Sequence, residues 1–200
     1  MTESHRLFVA ISLPKPIKSG IHAWCAPLVR ELPFRKWTHP EDLHITLQFL
    51  GNTETDRLEQ ITRKLSAAAA DHEGPSLALT AGSLGTFGRP ASPAILWAGI
   101  GGDGAEPLHE IQRRVADAMR SIGFVPDNRP FHPHLTVARE YRGETPMQPD
   151  TLGAYGKPAD PLGRPFAWEA ADIVLYRSRL NHKPMYEPLA RFPLGQAGGG

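Results

Sequence analysis

The sequence predicts an α+β fold, with helices packed outside antiparallel sheet. Three observations carry that prediction. Stretches with strand periodicity and stretches with helix periodicity follow one another as βαβα, then ββαββ, so helices do not separate every pair of strands. Pro and Gly number 20 and 19 in 200 residues, too few for low-complexity sequence and enough for many turns. One short strand pattern recurs about half a chain apart, which suggests an internal duplication.

Each element has its own reason. Residues 6–13 are β-branched and apolar and stop at Pro14, which reads as a buried strand. Ile17, Ile21, Trp24, Leu28 and Leu32 form a helix stripe over 16–32, with a kink expected at Pro27. Residues 43–50 alternate and end at Gly51-Asn52, a strand and then a turn. Thr53 then caps a helix whose stripe is Leu58, Ile61, Leu65, Ala68 and Ala69. Residues 76–81 and 94–99 are strands on either side of a Gly/Pro-rich turn. Asp103 with Glu106 has the form of a capping box, Pro107 lies in the first turn, and Leu108, Ile111, Val115, Ala118/Met119 and Ile122 make the cleanest helix stripe. Residues 132–138 are a strand, 141–163 a loop or short irregular helix, 167–176 a last strand, and 186–194 a returning edge.

Composition narrows the function. Hydrophobic residues at 40% and charged residues at 22% exclude wholesale disorder. A net charge of +1 excludes a global basic footprint for nucleic acid but not a local basic cleft. The single cysteine, Cys25, excludes an internal disulfide framework and a thiolate zinc cluster and suits a reducing cytosol. The apolar run Leu7–Leu13 is too short for a signal peptide or a membrane span.

The repeated pattern carries the chemistry. Leu43-His44-Ile45-Thr46-Leu47 and Pro133-His134-Leu135-Thr136-Val137 both read His-aliphatic-Thr-aliphatic on strands. Side chains two apart on a strand share a face, so each segment presents an imidazole beside a hydroxyl and turns its aliphatic residues to a core. Two histidines that titrate near neutrality suit concerted acid–base catalysis. Two threonine hydroxyls suit the non-bridging oxygens of a phosphodiester, and Arg139 adds a cation near the same strand end.

Other patterns in the sequence have blander readings. His132-Pro133-His134 lacks the third ligand and spacing of a metal site. Gly99-Ile-Gly-Gly-Asp-Gly104 precedes a helix but lacks a phosphate-loop ending, so it reads as a turn. Cys25 reads as core, Arg113-Arg114 as a wet helix face, and His5, His22, His39, His72, His109 and His182 as solvated. Trp37, Phe131 and Tyr176 flank the motif strands; packing is the simple reading, and stacking a terminal base is the other.

The paired segments resemble the signature of the 2H phosphoesterase superfamily, and the chain is similar in particular to the bacterial RNA 2',3'-cyclic phosphodiesterases, or 2'-5' RNA ligases. The likeness extends to Arg6-Leu-Phe-Val-Ala-Ile11, to Trp37 and Pro40–Gly51, to Phe131–Arg139, and to Leu175–Ser178 with Tyr186–Leu189. It implies two similar α+β lobes related by a pseudo-two-fold axis around a cleft, in a single domain over 1–197, followed by a flexible Gly tail at 198–200. It implies hydrolysis of a terminal 2',3'-cyclic phosphate to a 2'-phosphate, with reversible 2'-5' RNA ligation beside it. His44 would be the proton donor and His134 the proton acceptor. Thr46 and Thr136 would hold phosphate oxygens, supported by Arg139. No metal and no cofactor are implied. The partners would be RNA ends bearing the cyclic phosphate, tRNA fragments among them, met by a cytoplasmic monomer. The alternatives are cleavage of 2'-5' oligonucleotides or small cyclic nucleotides, and a non-catalytic RNA-end binder.

Overall fold

The two strands that carry the repeated segments meet at the middle of the sheet. In the computed structural model, which describes residues 3–72, 77–148 and 150–195, β3 (His44–Glu54) and β6 (His134–Tyr141) run antiparallel and pair at Ile45 and Leu135. Outward from this seam, one half continues through β1 (Ser4–Ser12), β8 (Asp172–Ser178) and β9 (Tyr186–Pro193). The other continues through β5 (Ser92–Gly101), β4 (Leu77–Arg89) and β7 (Ala167–Ala170). A short β2 (Phe34–Trp37) also pairs with β6. Among the described residues every strand pairing is antiparallel, and the fold is the expected α+β arrangement of two like halves.

The sheet has two unlike faces. Leu7, Val9, Ile11, Ile45 and Leu135 are buried on one face beneath α1 (Lys15–Trp24), α2 (Ala26–Glu31), α3 (Leu58–Ala70) and α4 (Ala105–Arg120). Each such side chain stabilises the fold by roughly 1.5–3 kcal/mol. The face without helices holds a smaller cluster of Phe8, Ala10, Val174 and Tyr176, with Tyr186 packed against it. β1 is therefore covered on both sides, which is why its sequence is continuously apolar rather than alternating. Among the described residues, no helix is long and apolar enough to cross a membrane.

Several elements differ from expectation. The 16–32 helix breaks at Cys25, two residues before Pro27, because Pro27 has no N–H to bond the carbonyl four residues back. β2 is absent from the sequence reading, being four residues long. β3 runs straight through Gly51-Asn52, where Gly51 takes φ 72° at a ladder irregularity instead of a turn. Thr53 is buried inside β3 and bonds the Gly51 carbonyl, so it caps nothing; a 3-10 turn over Thr55–Arg57 leads into α3. The Gly/Pro-rich stretch between 81 and 94 is mostly strand of the β4–β5 hairpin. α4 starts at Gly104 without any side-chain cap, so Asp103 and Glu106 form no capping box. The glycines of that segment serve close approach instead: a Cβ on Gly102 would stand 2.6 Å from the Ala78 carbonyl oxygen. Residues 167–176 are two strands, parted at Ala171, which join opposite halves of the sheet. Ser76 and the 198–200 tail lie outside the described residues.

Candidate active site

His44, Thr46, His134 and Thr136 all reach the helix-free face. Their neighbours Ile45 and Leu135 are completely buried on the other, so alternation sends the four polar side chains the opposite way. Continuing the Ile45–Leu135 register by one residue sets His44 opposite Thr136 and His134 opposite Thr46. Each imidazole thus lies beside the hydroxyl of its own strand and across from that of the other.

Both rings are held in the same way. His44 Nδ1 donates to the Asp42 carbonyl at 2.7 Å, and His134 Nδ1 donates to the His132 carbonyl at 2.6 Å. A carbonyl only accepts, so each Nδ1 carries the proton and each Nε2 keeps its lone pair while the ring is neutral. Thr46 Oγ1 lies 3.0 Å from His44 Nε2 and donates to it in that state. His44 sits among Phe8, Tyr186 and Tyr176, with ring centroids at 4.8, 5.0 and 6.1 Å. His134 sits against Phe87 at 5.0 Å and Trp97 at 6.3 Å. Trp97 has room because its partner across the ladder is Gly85, where a Cβ would fall 2.2 Å from the indole.

This packing sets the electrostatics. Burial is the main cause that pushes His44 down to about 4; the Asp42 carbonyl opposes it, and the charges of Arg139, His134 and Lys18 add to it. Burial likewise lowers His134, against the His132 carbonyl and with help from His132 and Arg139. Lys18 is a buried ammonium whose Nζ donates to the Glu41 carbonyl at 2.8 Å, beside the 3-10 turn that leads into His44.

Arg139 reaches this face only through an irregularity. Strict alternation from Thr136 would turn residue 139 inward. The ladder with β5 slips by one residue: Thr136 faces Trp97, whereas Ala138 faces Leu96 and Arg139 faces Ile95. Val137 is the extra residue of a bulge, Ala138 is buried in its place, and Arg139 is exposed beyond it. Its charge bears on both imidazoles, so Arg139→Gln is expected to raise the pKa of His44 and of His134 together. NMR titration of the two rings checks this; no change in either ring would place the guanidinium elsewhere.

The remaining sequence candidates settle as follows. Trp37 bonds the Phe34 carbonyl and lies with Ile21, Leu43 and Val137 on the helix side, away from the four polar residues. Phe131 packs on His109. Tyr176 is on the site's face but is only 4% exposed, stacked on Phe8. Cys25 is core, its thiol pushed up to about 12 by burial. His5 and His72 are not solvated: His5 contacts Arg177 and His72 is buried. His39 accepts from Glu41 N, and His132 packs on Trp97. Among the described residues, no three His, Cys, Asp or Glu side chains gather as a metal-holding group. The sequence reading missed Asp42, whose carboxylate is buried and accepts from Met185 N at 3.0 Å and Tyr186 N at 2.9 Å. A buried-Asp signal does not exist in sequence, because an Asp before a strand is ordinarily solvated.

Comparison with known proteins decides the family. The model of the 2'-5' RNA ligase superfamily matches residues 14–181. The chain belongs to that superfamily. Among its relatives is the RNA 2',3'-cyclic phosphodiesterase of Geobacillus stearothermophilus, 39% identical over 194 residues; the match covers 97% of this chain and 58% of that protein, so the chain spans little more than half of that relative. The RNA 2',3'-cyclic phosphodiesterase of Archaeoglobus fulgidus is 30% identical over 191 residues, 94% of this chain and 99% of that one. Escherichia coli LigT complexed with 3'-AMP superposes with a TM-score of 0.73 at 25% identity, over 97% of this chain and 100% of that one.

Proposed function

We propose that the chain hydrolyses an RNA 2',3'-cyclic phosphate to a 2'-phosphate by acid–base catalysis between His44 and His134. One observation carries this: two imidazoles with the same tautomer, from two like halves, flank one seam together with two hydroxyls and a cation. The cyclic phosphate occupies the seam. Thr46 and Thr136 donate to its non-bridging oxygens, and Arg139 offsets the charge that grows there. His134 Nε2 takes a proton from water as the water oxygen attacks phosphorus. The P–O3' bond breaks on the opposite side, and His44 Nε2–H protonates the leaving 3'-oxygen. With a 5'-hydroxyl in place of water the same steps join it to phosphorus in 2'-5' linkage as the P–O3' bond breaks, and their reversal cleaves that linkage back to the cyclic phosphate. Both halves lie in one chain, so a monomer suffices; in size-exclusion chromatography the expected species is the 22.0 kDa chain.

The experiment is hydrolysis of a short oligoribonucleotide ending in a 2',3'-cyclic phosphate, with EDTA present, and identification of the product end. A 2'-phosphate is the expected product. A 3'-phosphate, or activity that EDTA abolishes and zinc restores, overturns the scheme.

The pH dependence follows from the lowered basicities. The productive free site carries one proton shared between the two rings, which belong to one coupled system. Both are depressed from the ordinary 6.5, His44 to about 4. Above that window the donor proton is lost; below it the acceptor is blocked. The expected kcat/KM profile is therefore a bell centred between pH 4 and 6.5, while kcat peaks at higher pH because the bound anion favours imidazolium. Equal optima above pH 7 for both parameters would contradict it.

A further inference from the structure

We propose that Lys18 is a positioning residue for the proton donor, an inference that rests on the reading above: its ammonium holds the turn that orients His44 and sets a fixed cation near that imidazole rather than near His134. Lys18 occupies the first turn of α1, its N–H bonded to the Pro14 carbonyl at 3.1 Å. It is 7% exposed, whereas its neighbour Ile17 is only half-buried. Its Nζ donates to the Glu41 carbonyl at 2.8 Å, and the Glu41 carboxylate, 3.5 Å away, is itself half in solvent. An ammonium has three donors, and both of these acceptors belong to one residue. A methionine of the same length would fill the space more cheaply than so weakly paired a charge. The lysine therefore contributes something other than stability.

What it touches leads to His44. The Glu41 carbonyl belongs to the Glu41–Asp42 peptide, in the 3-10 turn Pro40–Asp42 that precedes β3. That peptide is pinned at both ends, by Lys18 on its carbonyl and by the His39 carbonyl on the Asp42 N–H at 2.9 Å. A peptide is a rigid plane, so the two bonds together fix where Asp42 begins. Asp42 then gives its carbonyl to His44 Nδ1 and its carboxylate to the N–H groups of Met185 and Tyr186. With Nδ1 held, Nε2 keeps its aim at the leaving 3'-oxygen.

The charge has a second effect. The titratable and charged groups about His44 are Tyr176 from β8, Tyr186 from β9, His134 and Arg139 from β6, Asp42 from the turn and Lys18 from α1. Arg139 acts on both imidazoles. Lys18 acts on His44, while His134 is under the charges of His132 and Arg139. A nearby cation loosens the proton of an imidazolium. The donor must release its proton to a ribose oxygen, and the acceptor must take one from water. Lys18 thus distinguishes two rings that are otherwise held alike, each by a carbonyl on Nδ1.

The test uses the intact protein and an oligoribonucleotide ending in a 2',3'-cyclic phosphate. Lys18→Met keeps the length and removes the charge. It is expected to lower kcat by about 10- to 100-fold, the scale of a misaligned catalytic group, with KM within about twofold. In NMR titration it is expected to raise the pKa of His44 and to leave that of His134 in place. Its urea midpoint should hold or rise, because the buried charge is gone. Lys18→Arg keeps a cation and its donors and is expected to recover most of kcat and the wild-type titration of His44. Should Lys18→Met fail to fold, Lys18→Gln gives the same readings. A neutral variant in which both rings titrate as in wild type, or move together, would make Lys18 a structural residue and overturn the proposal alone. Wild-type protein that turns over no 2',3'-cyclic phosphate would remove the catalytic reading and this one with it.

Discussion

His44→Ala and His134→Ala are each expected to lower hydrolysis of a 2',3'-cyclic phosphate end by about 10²- to 10⁴-fold, the usual worth of one positioned proton transfer. The double variant is expected to lose little more than the worse single one, because the rings act as a unit. Both proteins should fold. His134 is held by one carbonyl and by the Phe87 and Trp97 rings, and His44 lies on rings that pack on one another without it. Stability against pH gives an independent check of the His44 environment. Its folded value is depressed to about 4 from 6.5, so the folded state disfavours the charged ring. The stability of wild-type protein is fully present above pH 6.5 and falls as pH drops toward 4, by about 3 kcal/mol from this group. His44→Ala removes that loss, so its urea midpoint should fall less between pH 7 and 4. A variant with either histidine replaced that keeps more than a tenth of wild-type kcat would sink the catalytic scheme.

Asp42→Ala is expected to cost about 3 kcal/mol and to impair catalysis without touching the substrate. The carboxylate receives two backbone N–H groups at the start of β9, one on each oxygen. Without it, both part-buried donors lose their partner, at about 1–3 kcal/mol each where water does not replace it. Asp42→Asn should rescue only part, since its amide NH₂ would face one of those N–H donors. The consequence for the site runs through Tyr186, whose ring edge covers His44, and through the Asp42 carbonyl that orients Nδ1. The loosened cover admits water to His44, so its pKa should rise toward the ordinary value as activity falls. Urea denaturation and NMR titration of His44 measure the two effects. An Asp42→Ala protein with wild-type stability would show that the clamp carries no load.

The candidate site residues were legible because their placement on a shared strand face is local. His44 with Thr46, and His134 with Thr136, share a face by strand alternation alone, and the recurrence of the pattern pointed to two halves. α3 and α4 were legible for the same reason, as their buried positions follow the helical repeat. The missed features involve long-range partners. Nothing local distinguishes residues 167–176 from one strand, yet β7 pairs with β4 and β8 with β1. Asp103 and Glu106 have a cap's spacing, but Gly104 packs against the Ala78 backbone and displaces the motif. Trp37 and Phe131 neighbour the motifs in sequence; Trp97, Tyr176, Tyr186 and Phe8 neighbour the histidines in space.

By itself the sequence determined the α+β class, the strands that carry the four polar residues, and which of their side chains turn together. It did so because periods of two and 3.6 are properties of a single segment. Tertiary structure alone decided that the two segments meet at one seam, that a bulge brings Arg139 to its face, and that Asp42 ties β9 over His44. A bulge exists only relative to the strand it mispairs with, and a buried charge only relative to what covers it. Neither is a property of the segment that contains it.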